Sequence, residues 1–340
     1  MNSIWQEILG PSSARFRNGL LADFGDAAAE LAAARTATIV APLTHLGVIE
    51  VTGPDAAAFL HNQLTSDVKH LAGDAAQYSA WCSAKGRMLA SFLIFRMGPA
   101  YQLQLSADLL PTIDKRLRMF VLRSKVQITD VSAACALIGL AGPEMDAVLH
   151  GAGLPVPTTP RQTAAFAAGT VIRLDAGRCQ IAVQREAAAA LWQKLQAGAR
   201  PVGTCAWQWL DICAGIPLIS ERTSEEFVPQ MASFEQLDAV SFRKGCYPGQ
   251  EVVARTQYLG KVKRHLYRAH ATTIMAAGDA IYSPTNPQQP CGMVTNAAPA
   301  PDGGYDALVI VQETFFGAAD LALASPAGAR VELQALNSRD

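Results

Sequence analysis

One short stretch limits what the last third of this chain can fold into: Lys244-Gly245-Cys246-Tyr247-Pro248-Gly249-Gln250-Glu251. Two glycines and a proline so close together exclude a helix interior or a central strand. The stretch is therefore predicted to be a tight, irregular loop, with regular structure resuming near Val252. It carries a thiol, a cation, an amide and a carboxylate, which makes it the first candidate for a functional site.

Cys246 is the candidate reactive group of this loop. Arg243 and Lys244 precede it, and positive neighbours favour the thiolate over the thiol. The residue is therefore a candidate nucleophile, metal or cluster ligand, or redox-sensitive thiol. The structural alternative is a small buried apolar residue, because free cysteine is often buried. Local chemistry leaves these alternatives open.

The composition indicates a compact globular protein. Of the 340 residues 50% are hydrophobic and 17% are charged, enough to fill the cores of two or three domains. A net charge of −1 predicts no global attraction to nucleic acid or membranes, so that any such binding is local. The N-terminus has no signal-like pattern, and the seven cysteines form no CxxC pair. We expect a cytoplasmic protein without a zinc knuckle or a self-contained cluster motif.

A strand, a Gly-Pro turn and a helix are predicted twice. Gly53-Pro54-Asp55 precedes Phe59-Leu60, and Gly142-Pro143-Glu144 precedes Val148-Leu149. Proline suits the first helical turn, and an acidic residue suits a helix N-terminus. The repetition indicates an internal duplication, although two copies of one turn motif can also arise independently.

The remaining patterns predict α and β elements followed by a β-rich end. Expected strands are Tyr78–Cys82, Met88–Phe95 and Tyr101–Ser106, and expected helices are Leu109–Leu122, Glu186–Ala197 and Trp207–Cys213. After residue 258, five short segments separated by turn residues predict a small barrel or sandwich. Trp207 and Trp209 do not easily share one helix face, so one is expected to line a pocket while the other packs.

Basic residues concentrate around the start of this β-rich end. Between Phe242 and Arg268 there are seven basic residues against one acid, Glu251. Solvent-facing positions on a strand explain part of the pattern. A site for a carboxylate tail, a phosphate or RNA is the functional explanation. Because no aromatic stacking array accompanies the cations, a small polyanionic ligand is favoured over nucleic acid.

The loop motif resembles the Lys-Gly-Cys-Tyr/Phe-x-Gly-Gln-Glu signature of the YgfZ family. These folate-binding relatives of the glycine-cleavage T-protein include the mitochondrial iron-sulfur assembly factor. The resemblance also covers the first Gly-Pro turn with Thr65–Val68, the hairpin turn Cys82–Met88, Ala214–Pro217 and Phe227–Gln230. It implies an α+β fold with two similar lobes in a ring around a folate channel, and a C-terminal β-barrel. The expected domains are residues 1–133, 134–258 and 259–340.

The resemblance also implies a function and its residues. Cys246 is the implied reactive thiol with Lys244 beside it, and the residues expected to contact tetrahydrofolate are Trp207, Arg87, Gln250, Glu251 and Arg255. A buried structural tryptophan is the alternative at position 207. The implied role is a folate-binding accessory protein that supports iron-sulfur cluster assembly or maintenance, and thereby cluster-dependent enzymes such as tRNA-modifying ones. Implied partners are folate, with or without a polyglutamate tail, and iron-sulfur assembly or client proteins. Membrane and direct nucleic-acid contacts are not expected.

A tetrahydrofolate-dependent aminomethyltransferase is the alternative function. T-proteins carry paired aspartates after the hairpin turn, whereas this chain has Ala90-Ser91, and neither side chain can hold a proton as a carboxylate can. Cys213 replaces an acidic residue before Ala214-Gly215, and Leu46 stands where some relatives have a second tryptophan. These departures favour the accessory role and leave the folate pose open.

Overall fold

The computed structural model describes residues 4–10, 14–318 and 320–336. The helices are α1 Ile4–Leu9, α2 Ala27–Thr36, α3 Ala56–Gln63, α4 Leu110–Arg118, α5 Met145–Gly151, α6 Arg185–Gln196, α7 Thr204–Cys213 and α8 Gln250–Tyr258. Short 3-10 helices occupy Val68–His70, Glu221–Thr223, Pro229–Ala232, Phe234–Leu237 and Glu313–Phe315.

The strands of the first part of the chain are β1 Arg15–Arg17, β2 Leu20–Asp23, β3 Ile39–Pro42, β4 Leu46–Thr52, β5 Gln77–Cys82, β6 Met88–Met97, β7 Ala100–Ser106, β8 Gln127–Asp130, β9 Cys135–Ala141, β10 Thr163–Phe166, β11 Gly169–Asp175, β12 Arg178–Gln184 and β13 Arg200–Pro201. Those of the last part are β14 Arg264–Ala271, β15 Ala280–Tyr282, β16 Gly292–Pro299, β17 Tyr305–Gln312, β18 Leu321–Leu323 and β19 Arg330–Gln334.

The chain folds into two compact units, each built from separate segments. The first unit comprises Met1–Leu60, Val68–Gln77 and Phe92–Trp207, and the second comprises His61–Asp67, Tyr78–Ser91 and Gln208–Asp340. The three domains expected from the sequence stay a prediction. The first three residues of the first expected domain and the last four of the third lie outside the described residues.

A six-stranded sheet forms the centre of the first unit, in the order β10-β11-β12-β9-β3-β13. Strands β9 and β12 are antiparallel, with Leu140 opposite Cys179 and Ile138 opposite Ile181. All seven residues of β9 are buried, as expected of a strand whose two faces are both covered. Helix α6 contributes Trp192 to the hydrophobic core beside this sheet.

A second sheet has the order β5-β6-β7-β4-β8. Strands β4 and β7 are antiparallel, with Ile49 opposite Leu103. Helix α4 was expected to continue to Leu122, but it ends at Arg118. Its backbone tightens there, because the amides of residues 119 and 120 bond to carbonyls three residues earlier.

The two Gly-Pro turns have matching geometry. Gly53 has φ +110° and Gly142 has φ +118°. A Cβ on Gly53 would lie 2.2 Å from the Lys125 carbonyl oxygen, and one on Gly142 would lie 2.4 Å from that of Ala37. Both turns therefore require glycine for the same two reasons, a left-handed backbone and a close backbone neighbour. This agreement supports the predicted duplication of the strand-turn-helix unit.

The second unit contains a closed barrel in the order β14-β17-β16-β15-β18-β19. Closure leaves none of these strands with an unpaired edge. The α+β class with a C-terminal β-barrel is thus confirmed. The first barrel strand begins at Arg264 and not at Lys261, and the sequence patterns missed β18. Within the described part of the chain, no helix combines the length and apolar character needed to cross a membrane.

Candidate functional site

The loop of residues 244–251 packs against a hairpin turn of the second unit. Gly249 has φ +80°, and a Cβ there would lie 2.4 Å from the Ser83 carbonyl oxygen. Gly86 has φ +71°, and its Cβ would lie 2.9 Å from the Cβ of Val252. Glycine alone tolerates both this backbone conformation and these approaches. The two glycines therefore hold the loop against the turn between β5 and β6.

Lys244 anchors the start of the loop. Its Nζ donates hydrogen bonds to the carbonyl oxygens of His61, Leu64 and Ser66, the last at 3.1 Å. His61 lies in the last turn of α3, where carbonyls lack helical partners and a cation complements the helix dipole. Burial lowers the pKa of Lys244 to about 8. Lys244 thus has a structural role, and its expected effect on Cys246 stays a prediction.

Tyr247 packs beside this anchor and is 6% exposed. The Nζ atom of Lys244 lies 5.0 Å from its ring centroid, within cation–π range. Burial raises the pKa of Tyr247, and electrostatic coupling to Cys82 adds to the shift. Its Oη has no hydrogen-bond partner among the described residues. Because buried hydroxyls are normally bonded, this Oη is available to a ligand or an ordered water molecule.

Cys246 lies between these anchored positions and is exposed. By contrast, Cys82, Cys135 and Cys179 are buried, and burial raises the pKa of each to about 12. The thiolate is the nucleophilic form, so these three thiols are inert at neutral pH. Cys213 is also exposed, which makes it a natural control for Cys246.

Four other predicted site residues belong to the same unit: Arg87, Gln250, Glu251 and Arg255. Arg87 is exposed and donates hydrogen bonds to the carbonyl oxygens of residues 225 and 226. Gln250 and Glu251 form the first turn of α8, where a carboxylate complements the helix dipole. Arg255 is exposed in the last turn of that helix. The fold thus places all four in the unit that carries Cys246, whereas Trp207 belongs to the first unit.

Ala90 and Ser91 occupy the positions where T-proteins were expected to carry aspartates. Ala90 is fully buried, and Ser91 is 5% exposed. The Ser91 Oγ accepts a hydrogen bond from the backbone N–H of Ile219 at 2.9 Å. This hydroxyl is therefore a structural acceptor for the segment that follows α7.

Trp207 is buried against β9. Its side chain is 1% exposed, and a Cβ on Gly139 would lie 2.4 Å from its Cε3 atom. The guanidinium carbon of Arg178 lies 5.8 Å from its ring. Trp209 is 8% exposed, so the expected contrast between a pocket-lining and a packing tryptophan is not seen. The burial favours the structural alternative for Trp207, and its contact with folate stays a prediction.

The sequence patterns missed a charge cluster in the second unit that is centred on the buried carboxylate of Asp306. The carboxylate of Asp306 accepts hydrogen bonds from Trp209 Nε1 at 2.9 Å, Arg268 at 2.6 Å and His270 Nδ1 at 2.9 Å. Burial acts to raise the pKa of Asp306, but these three bonds lower it below its usual range. The cluster joins α7 to the barrel. Its Arg268 is one of the seven basic residues that concentrate between Phe242 and Arg268 in the sequence. Arg268 and His270 lie 38 and 36 residues before Asp306 in the chain, so no local sequence pattern reveals the cluster.

Comparison with known proteins identifies relatives of most of the chain. Residues 16–244 match the family model described as the GCVT N-terminal domain. The tRNA-modifying protein YgfZ of Cronobacter sakazakii is 32% identical over 254 residues, covering 74% of this chain and 77% of that protein. The protein of the same name from Yersinia pseudotuberculosis is 33% identical over 236 residues, covering 68% of this chain and 71% of that one.

A solved structure agrees at the level of the fold. The glycine cleavage system aminomethyltransferase T from Bartonella henselae superposes with a TM-score of 0.81 at 19% identity, over 99% of this chain and 97% of that one. Identity this low speaks for the architecture and not for a shared activity. With a family match over most of its length and relatives above 30% identity, the chain belongs to the YgfZ family of proteins with a GCVT N-terminal domain.

Proposed function

We propose that this protein is a folate-binding accessory factor that supports iron-sulfur cluster assembly or maintenance, with Cys246 as its reactive group. Cluster-dependent enzymes, including those that modify tRNA, are the proposed beneficiaries. The names of the relatives agree with a role connected to tRNA modification. The observation that carries the proposal is the exposed thiol of Cys246 on a loop whose flanking residues are fixed in place.

The anchoring of the loop supports a chemical role for Cys246. Lys244, Tyr247 and Gly249 are each held by packing or hydrogen bonds, while the side chain of Cys246 lies exposed among them. Fixing a reactive group by its neighbours lowers the entropic cost of presenting it to a partner. No packing role accounts for the thiol, so selection for its chemistry is the simplest explanation.

The residues of the second unit fit a folate ligand in part. Tyr247 Oη and Gln230 Oε1 are buried polar atoms without a hydrogen-bond partner among the described residues. A pterin edge offers the donors and acceptors that such atoms require. Gln250 and Glu251 add an amide and a carboxylate, and Arg87 and Arg255 add cations suited to a glutamate tail. Tetrahydrofolate, when bound, would supply one-carbon or redox chemistry beside these groups.

Aminomethyl transfer is the less favoured function. Proton transfer by a positioned carboxylate typically contributes roughly 10²- to 10⁴-fold to such a step. Here Ala90 has no ionisable group, and the Ser91 hydroxyl is bonded to a backbone amide. The fold shared with an aminomethyltransferase does not replace the missing carboxylates.

Complementation separates the two functions. A strain lacking the gene is supplied with the wild type, Cys246→Ser or Cys213→Ser, and the activities of cluster-dependent enzymes are measured. We expect Cys213→Ser to restore them and Cys246→Ser to fail, with both variants folding as the wild type does by circular dichroism. Full activity with Cys246→Ser, or aminomethyl transfer by the purified wild type, would contradict the proposal.

Folate binding is tested separately by calorimetry with tetrahydrofolate and its polyglutamates. The positive charge near the barrel predicts tighter binding of the polyglutamates at low salt, and a smaller difference at high salt. Trp207→Phe tests whether the buried indole takes part. Absence of binding at millimolar ligand would remove folate from the proposal without deciding the role of Cys246.

A further inference from the structure

An exposed apolar turn follows helix α4 in the first unit. Met119 is 66% exposed, Phe120 41% and Leu122 87%. Single exposed apolar residues are ordinary, but three within four residues form a patch that requires an explanation. We call residues Met119–Leu122 the apolar turn.

The backbone holds Leu122 outward at a conformational cost. Its φ is +46°, a left-handed conformation that glycine or asparagine usually supplies. The Ser124 amide donates to the Val121 carbonyl oxygen at 2.8 Å, so Leu122 is the second residue of a tight turn. Glycine at this position would relieve the strain, yet the chain places there a leucine side chain that is 87% exposed. A strained, exposed leucine points to a function outside the fold.

Cations flank the apolar turn in the sequence, and the Asp55 carboxylate also lies beside it, accepting a hydrogen bond from the Lys125 backbone N–H at 2.7 Å. Residues 110–126 contain one acid and five basic residues: Lys115, Arg116, Arg118, Arg123 and Lys125. Asp114 is the acid and binds Arg118 at 2.8 Å. The whole chain has a net charge of −1, so the remainder of the chain is acidic and this positive charge is local. Any partner of the apolar turn must therefore tolerate or prefer negative charge nearby.

We propose that the apolar turn inserts into the headgroup region of a lipid bilayer that carries anionic lipids. Apolar side chains on a protruding turn with flanking cations combine the two attractions that hold peripheral proteins on such membranes. The contact is local and so is compatible with the chain's near-neutral net charge, but it departs from the expectation, drawn from the sequence, that the protein makes no membrane contact.

Three other occupants fit these observations less well. A second copy of the same surface would bring two positive patches together, which is unfavourable. RNA would neutralise the cations but would leave Met119 and Leu122 without apolar contacts. A protein partner would need one cleft that combines acidic groups with an apolar floor. A lipid surface satisfies the charge and the apolar side chains together.

Vesicle flotation tests the proposal with the full-length protein. The probes are vesicles of phosphatidylcholine alone and of phosphatidylcholine with 30 mol% phosphatidylglycerol, a composition of about one anionic lipid in three. We expect the wild type to float with the anionic vesicles, less at high salt, and only weakly with the neutral ones. Leu122→Gly should reduce the bound fraction about tenfold, because it removes the insertion of a whole leucine side chain.

The variants keep the result interpretable. Leu122→Gly should keep or raise the melting temperature, since glycine suits the turn, and a loss of binding would then not reflect unfolding. Met119→Ser is a second variant that should weaken binding. Ile274→Ser removes another exposed apolar residue, 71% exposed in the second unit, and should bind as the wild type does.

Several outcomes would overturn the proposal. A wild type that does not float with anionic vesicles would be one, and a Leu122→Gly variant that binds vesicles as well as the wild type does would be another. Self-association, or binding to a tRNA transcript, that is lost in Leu122→Gly would assign the turn to a second copy or to RNA instead.

Discussion

Replacing Gly249 by alanine should destabilise the second unit and disturb Cys246. The left-handed conformation, φ +80°, costs an alanine roughly 1–2 kcal/mol. The new Cβ would lie 2.4 Å from the Ser83 carbonyl oxygen and 2.8 Å from the Gly86 Cα. Both are backbone atoms, so the loop or the hairpin turn must shift, at a further cost of about 1–3 kcal/mol. We expect a total loss of about 3 kcal/mol.

Thermal unfolding followed by circular dichroism measures this loss. For a folding unit of about 150–250 residues, each kcal/mol lowers the melting temperature by roughly 2–4 °C, so the expected decrease is about 10 °C. Gly245→Ala is the matched control from the same loop, because a Cβ there meets no atom within 4 Å. It should change stability by less than about 1 kcal/mol. Equal melting temperatures for the two variants would refute the packing argument.

Three further predictions concern ionisable groups. Iodoacetamide at pH 8 should modify Cys246 at least about 100-fold faster than Cys135, because burial raises the pKa of Cys135 to about 12. Mass spectrometry of the digested protein measures the two rates, and similar rates would contradict the exposure of the loop. Because the pKa of Asp306 is lowered, its contribution to stability is present above about pH 4 and is lost as the pH falls further. In urea unfolding, the difference in unfolding free energy between the wild type and Asp306→Asn should therefore shrink below about pH 4. Burial lowers the pKa of Lys244 to about 8 in the folded state, whereas the unfolded chain keeps the proton to about pH 10.4. The stability of the wild type relative to Lys244→Met should therefore rise by up to about 3 kcal/mol between those pH values. An unchanged relative stability would show that the folded pKa is not lowered.

Local sequence patterns predicted the features that depend on near neighbours. Gly53 and Gly142 revealed the repeated strand-turn-helix units because positive φ and helix N-terminal chemistry leave a compact signal. The buried run of β6 and the short strands of the barrel followed from residue type and turn spacing. The end of α4 was misplaced, because residues 119–122 keep a helix-compatible composition while the backbone tightens.

The contacts of the site could not be predicted, because they join residues far apart in the chain. Lys244 reads in the sequence as a cation beside Cys246, yet its Nζ bonds to carbonyl oxygens 183 and 180 residues earlier. Asp306 likewise shows no partner until β14 and β17 pair and bring Arg268 and His270 beside it. Side-chain direction in a loop is set by such tertiary contacts, which leave no local pattern.

The octapeptide loop therefore combines two kinds of residue that the sequence alone does not distinguish. Lys244 satisfies the end of α3, and Gly249 permits the close approach of the hairpin turn. Loss of either should damage the fold, and with it any function of the loop. Cys246 is exposed between them and contributes no packing that its replacement by serine would remove. A functional defect in Cys246→Ser with normal stability would consequently show that the thiol itself is needed. A defect in Lys244→Met or Gly249→Ala would instead show first that the loop has been displaced.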